Sequence, residues 1–109
     1  MHDLPNLLNY NLELNHDRQG KHIEGHKNYI PGKSVLTADP AFLLKHYLGN
    51  GEYVYTKDGK WANKERFSHT DIIGIWKAKS GTKTEYTNNG MFHYAKEKGV
   101  HIVPAEPDN

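Results

Sequence analysis

The chain contains no cysteine, which excludes disulfides and thiolate metal sites. It has no uninterrupted apolar run of about 18 residues, so the sequence offers no helix able to span a membrane and no membrane anchor. Its opening, MHDLPNLLNY, lacks the basic stretch followed by an apolar stretch that marks a signal peptide. Residues 1–16 read instead as a loosely held lead-in, of the kind left when a linker is cut from a longer protein. An excess of one charge is missing too. Lys and Arg number 14 and Asp and Glu 13, a formal net charge of +1, so the bulk balance demands no polyanionic partner. No internal repeat or low-complexity tract is visible. The 109 residues suffice for one core without staples, and the folded domain is expected over residues 17–109.

What the chain does have is one dense polar stretch, RQGKHIEGHKNYIPGKS, from Arg18 to Ser34. Arg18, Lys21, Lys27 and Lys33 share it with His22 and His26, and only Ile23, Tyr29 and Ile30 are apolar interruptions. Cations, imidazoles and hydroxyls packed this closely make poor core material. They suit the holding of a phosphate and the movement of protons near it.

Around that stretch the secondary structure reads as follows. Tyr10, Leu12 and Leu14 alternate with polar residues, the period of a half-buried strand. Asp17 is placed to cap a helical turn that Gly20 and Gly25 keep short, and Pro31-Gly32 ends it. Asp39 as N-cap and Pro40 at the first position start a helix over Pro40–Leu48, with Gly49 as its stop. Tyr53–Tyr55 and Lys60-Trp61 flank an Asp58-Gly59 turn. Four strands then follow, Asp71–Ala78, Thr82–Thr87, Met91–Lys96 and Val100–Val103, joined by turns at Ser80-Gly81, Asn88-Asn89-Gly90 and Lys98-Gly99. The expected fold is α+β, with short N-terminal helices packed on a four-stranded antiparallel sheet whose other face stays open.

Alternation puts Val100 and Ile102 toward the core and His101 on the open face. If the Arg18–Ser34 segment covers one end of the sheet, two histidines flank one groove. Paired imidazoles with lysine and hydroxyl neighbours are what metal-independent RNA cleavage requires. Histidine suits both proton steps because its ordinary pKa near 6.5 populates both forms at neutral pH. A competing reading makes His22, Glu24 and His26 metal ligands. Gly25 weakens the helix this needs, and no third ligand stands at a recognisable interval. His2, His16, His46 and His69 read as surface residues, while His93 is evenly balanced between surface and site. Lys57, Lys60, Lys64 and Lys83 read as solvating charges. Trp61 and Trp76 read as core or groove wall. Gly32-Lys33-Ser34 echoes a Walker loop, but the position of its first glycine is Lys27, and the match fails.

RQGKHIEGHKNYIPGKSVL together with GMFHYAKEKGVHIVPAEP resembles the polymorphic toxin type 50 domain, a predicted ribonuclease toxin at the C-terminal ends of large bacterial toxins. The likeness spans about residues 17–107, and Lys21-His22-Ile23 with Gly25 and His101-Ile102-Val103-Pro104 are its specific parts. It implies membership of the barnase–EndoU–colicin–RelE group of folds and a sheet face that cleaves RNA, with tRNA among the candidate substrates. It implies proton transfer by His22 and His101, with Lys33, Ser34, Thr87 and Tyr94 beside the phosphate; His26 joins the catalytic set as a further base, and no cofactor is expected. RNA binding falls to Arg18, Lys21, Lys27, Tyr94 and Lys96. Two positions depart from the family pattern: threonine is common where His26 stands, and serine where Ala95 stands. The expected setting is a monomer released from a larger toxin, held harmless by a cognate immunity protein and active in a target cell's cytoplasm. The rival readings are a non-catalytic RNA-binding module, the metal-dependent nuclease, and a nucleotide- or NAD-modifying toxin for which no fingerprint is present.

Overall fold

The computed structural model describes residues 4–108. The first helix, α1 (His16–Gly20), is capped by Asn15, whose side chain accepts from the Arg18 amide at 3.0 Å. Asp17, expected as the cap, lies instead in the first turn, where its charge favours the helix dipole. The helix ends at Gly20, where the His26 ring occupies the space that a Cβ would need. The chain then turns through Gly25 and Gly32, both at positive φ, into the short strand β1 (Val35–Leu36). Helix α2 (Pro40–Tyr47) forms as the sequence dictates, with Pro40 in its first turn and the Asp39 side chain accepting from the Ala41 amide.

The remaining strands are β2 (Glu52–Tyr55), β3 (Trp61–Ser68), β4 (Gly74–Lys77), β5 (Thr84–Thr87), β6 (Asn89–Ala95) and β7 (Gly99–Pro104). The class is α+β, but the strands form two antiparallel sheets. One is three-stranded, β1-β4-β5, and the other four-stranded, β2-β3-β6-β7. The single four-stranded meander expected from residue 71 onward is therefore corrected: its first two strands belong to one sheet and its last two to the other.

The reason lies at Thr87–Gly90, which does not close a hairpin. The Thr87 hydroxyl donates to the Ala105 carbonyl at 2.7 Å, and the Asn89 side chain donates to the Glu106 carbonyl and accepts from the Ser68 hydroxyl. Thr87 and Asn89 are fully buried, so these bonds take the place of a turn and carry the chain between sheets. Gly90 lets the Phe67 ring lie where a Cβ would stand.

β3 begins at the expected Trp61 but runs on to Ser68, through a charged run, Asn63–Arg66, with no hydrophobic period. Glu65 nevertheless faces the core, wholly buried. Its carboxylate accepts from the Gly49 amide at 3.0 Å, the Gly51 amide at 2.6 Å and the Tyr94 hydroxyl at 2.6 Å, and this triple coordination is what makes burial of a carboxylate tolerable.

One face of the four-stranded sheet carries Phe67, Phe92, Tyr94, Val100 and Ile102, closed over by Leu43 of α2 and by Leu36 and Ile73. Tyr47 stacks on Phe67 at 5.2 Å. The free edge of β7 is covered by the N-terminal segment. The period-two stretch around Tyr10–Leu14 contributes a single parallel bridge, Leu14 to Val100, rather than a full strand. The Gln19 side chain then mimics a further strand residue, donating to the Ile102 carbonyl and accepting from its amide. Covering the edge protects it from association and places α1 beside His101.

Candidate active site

Because Val100 and Ile102 are buried, His101 faces the opposite side of the sheet. His101 is directly across from His93 in the β6–β7 register, and His93 is directly across from Lys64 in the β3–β6 register. Three strands thus present Lys64, His93 and His101 as one row. His22 extends the row beyond the sheet edge. Its ring stacks on His101 with centroids 5.9 Å apart and planes 16° from parallel, and the His93 and His101 rings are 5.0 Å apart.

His22 is held from several directions and is 6% exposed. Its carbonyl accepts from the Leu36 amide at 2.7 Å, and its Nδ1 lies 2.9 Å from the Ser34 carbonyl oxygen. A carbonyl oxygen only accepts, so Nδ1 carries the proton and the neutral ring presents Nε2 as a base. The Ser34 hydroxyl accepts from the Lys77 amide at 2.9 Å, which ties this turn to the end of β4.

The row is electrostatically unfavourable to its own protonation. Burial pushes His93 down to about 4, helped by the charges of Lys64 and His22. Burial likewise takes His101 down to about 3, with His93, His22, Arg18 and Lys21 adding to the effect. His22 is also lowered, by burial first and by Lys33 and Lys21; its hydrogen bond to Ser34 works in the other direction. All three rings are neutral at pH 7 and ringed by cations, and among the described residues no carboxylate offsets that charge on them. An anion placed here relieves the repulsion and favours proton uptake by the rings.

Of the residues singled out from sequence, the structure brings together His22, His101, Arg18, Lys21 and Lys33. The others stand elsewhere or are otherwise engaged. His26 lies against Gly20, and its Nδ1 accepts from the Asn28 amide at 2.9 Å. The Ser34 hydroxyl is bonded to Lys77 as described, and the buried Thr87 hydroxyl is spent on Ala105. Tyr94 is on the core face, bonded to Glu65, where burial and that carboxylate hold its hydroxyl well above the usual range. Lys27 and Lys96 are exposed, and neither is among the cations acting on the three rings. His22, Glu24 and His26 do not converge: among the described residues no three His, Asp or Glu side chains are placed to share a metal ion. His2 lies outside the described residues.

His93 and Lys64 are the members of the row that sequence reasoning did not select. Alternation already separated His93 from Phe92 and Tyr94; only the cross-strand register, with His93 opposite His101, made it part of the site.

No helix among the described residues is long and apolar enough to cross a membrane. No curated protein matches the chain. The family model described as bacterial toxin 50 matches residues 14–104, a span that contains α1, both sheets and every residue of the histidine row, and the chain belongs to that family.

Proposed function

We propose that this domain is a metal-independent endoribonuclease, the toxic part of a larger bacterial toxin that acts in a target cell's cytoplasm and is neutralised by a cognate immunity protein. The observation that carries this reading is the stacking of His22 on His101, from opposite ends of the chain, within a ring of cations. The four-stranded antiparallel sheet with its chemistry on the face away from the helix also accords with the barnase–EndoU–colicin–RelE group.

In the proposed reaction Nε2 of His22 removes the 2′-hydroxyl proton, as the Ser34 carbonyl fixes its tautomer for that task. The 2′-oxygen bonds to the adjacent phosphorus, and the bond from phosphorus to the 5′-oxygen breaks. Lys21, Lys33 and Lys64 stabilise the charge on the non-bridging oxygens. His101 becomes protonated once the phosphate's negative charge stands beside it, and passes that proton to the departing 5′-oxygen. The products are a 2′,3′-cyclic phosphate and a 5′-hydroxyl, and the two proton transfers balance.

The test is incubation of the purified domain with RNA in excess chelator, followed by chemical mapping of the ends. Cleavage unaffected by chelator, with 5′-hydroxyl and cyclic phosphate termini, is expected. RNA left intact, or cleavage abolished by the chelator, contradicts the reading.

A further inference from the structure

An open groove of about 540 Å³ begins at His22 and runs between the two sheets. Its size is in the range of sites for small ligands such as one nucleotide. Lys33, Trp76, Lys77 and Lys79 line it, together with the ends of β7, and Glu106 is the one acid among its lining residues. The end of β4, at Lys77, and the end of β7, at Val103-Pro104, both border it. Ser34 keeps its two rims in register, since its carbonyl holds His22 and its hydroxyl holds the Lys77 amide. Trp76 is half-buried and stands apart from the apolar core cluster, so its ring is groove wall rather than core.

We infer that this groove binds a nucleotide flanking the scissile phosphate, its base stacked on Trp76 and its backbone phosphate met by Lys33 and Lys79. An aromatic plane among cations is the combination that binds single-stranded nucleic acid with little regard to base identity, because every base offers a π-face. The groove opens directly on His22, so a strand that seats a base on Trp76 continues into the histidine row. The domain therefore takes unpaired RNA, such as a loop, rather than the interior of a duplex, whose bases are stacked on one another. This inference takes the ligand's identity from the ribonuclease reading, but its test does not depend on cleavage.

The probe is a fluorescently labelled 2′-O-methyl RNA tetranucleotide, which has no free 2′-hydroxyl and cannot be cut, compared with the same backbone lacking its bases. Binding is read by anisotropy. Wild-type protein is expected to prefer the base-bearing probe by about tenfold, in line with loss of one stacked base. Trp76→Leu is expected to remove that preference while leaving affinity for the abasic probe unchanged. Should Trp76→Leu fail to fold, Trp61→Phe leaves Trp76 as the sole tryptophan, and the base-bearing probe alone is expected to quench it. Equal binding of both probes by wild type, an equal loss for both in Trp76→Leu, or an unquenched Trp76 overturns the inference. RNA cleavage with an indifferent Trp76 sinks this inference alone; base-dependent binding without cleavage sinks only the ribonuclease reading.

Discussion

The two faces of the four-stranded sheet handle polar groups in opposite ways. On the inner face the buried carboxylate of Glu65 has three donors, two backbone amides and the Tyr94 hydroxyl. On the outer face, three imidazoles and the lysines around them form no ion pair with a carboxylate among the described residues. The ion pairs among the described residues, Lys60–Asp58, Arg66–Asp108 and Lys83–Glu85, include no member of the row, although Arg66 shares the outer face of β3 with Lys64. A polar group that serves stability is saturated by the fold. A cluster left short of counter-charge can take one from outside, and groups with depressed pKa values in such a setting make it a candidate functional site.

That contrast can be broken from either side. The largest expected effect is on the outer face: His22→Ala or His101→Ala lowers RNA cleavage per folded molecule by about a hundredfold or more, the usual loss on removing a general acid or base; His22→Ala also strands the buried Ser34 carbonyl and lowers stability by about 1 kcal/mol. On the inner face the signature reverses. Glu65→Ala strands two amides and the Tyr94 hydroxyl and destabilises the domain by about 3 kcal/mol, read by chemical denaturation, while cleavage per folded molecule persists.

Acid sharpens the comparison further. In the unfolded chain the histidines titrate near 6.5; folded, His93 and His101 do so at about 4 and about 3. Between these limits the unfolded chain binds protons that the folded one does not. Stability is therefore fully present above pH 6.5 and falls as pH drops toward 4 and then 3, by on the order of 2 kcal/mol after allowance for solvent screening. The double variant His93→Gln/His101→Gln should flatten that slope in thermal melts taken across the window. The smallest effect belongs to Thr87→Val, which removes the hydroxyl that donates to Ala105 and accepts from the Asn89 amide and lowers stability by about 2 kcal/mol without altering turnover. A large loss of turnover there would return Thr87 to the catalytic set.

The elements governed by local chemistry were legible in the sequence. α2 follows from Asp39-Pro40, and the β6–β7 hairpin from Lys98-Gly99. The face of His101 follows from the burial of its neighbours Val100 and Ile102. What could not be read depends on contacts between distant residues. The full length of β3 was hidden because Glu65 is buried by hydrogen bonds and not by apolarity. The division into two sheets was hidden because Asn88-Asn89-Gly90 has the composition of a turn, whereas its side chains act as tertiary bonds. In the site, His22 and His101 were found through the family resemblance and the alternation of β7. His93 and Lys64 required the register. Thr87 and Tyr94 were chosen for their hydroxyls, which the fold uses internally.

The central claim is that His22 and His101 share one phosphate, and it is tested most directly by NMR titration of the individual imidazoles with and without inorganic phosphate. Without it, the His101 and His93 rings should stay neutral down to about pH 5. With saturating phosphate, the titration midpoints of His22 and His101 should both move upward. Midpoints for His22 and His101 that ignore phosphate would contradict the account.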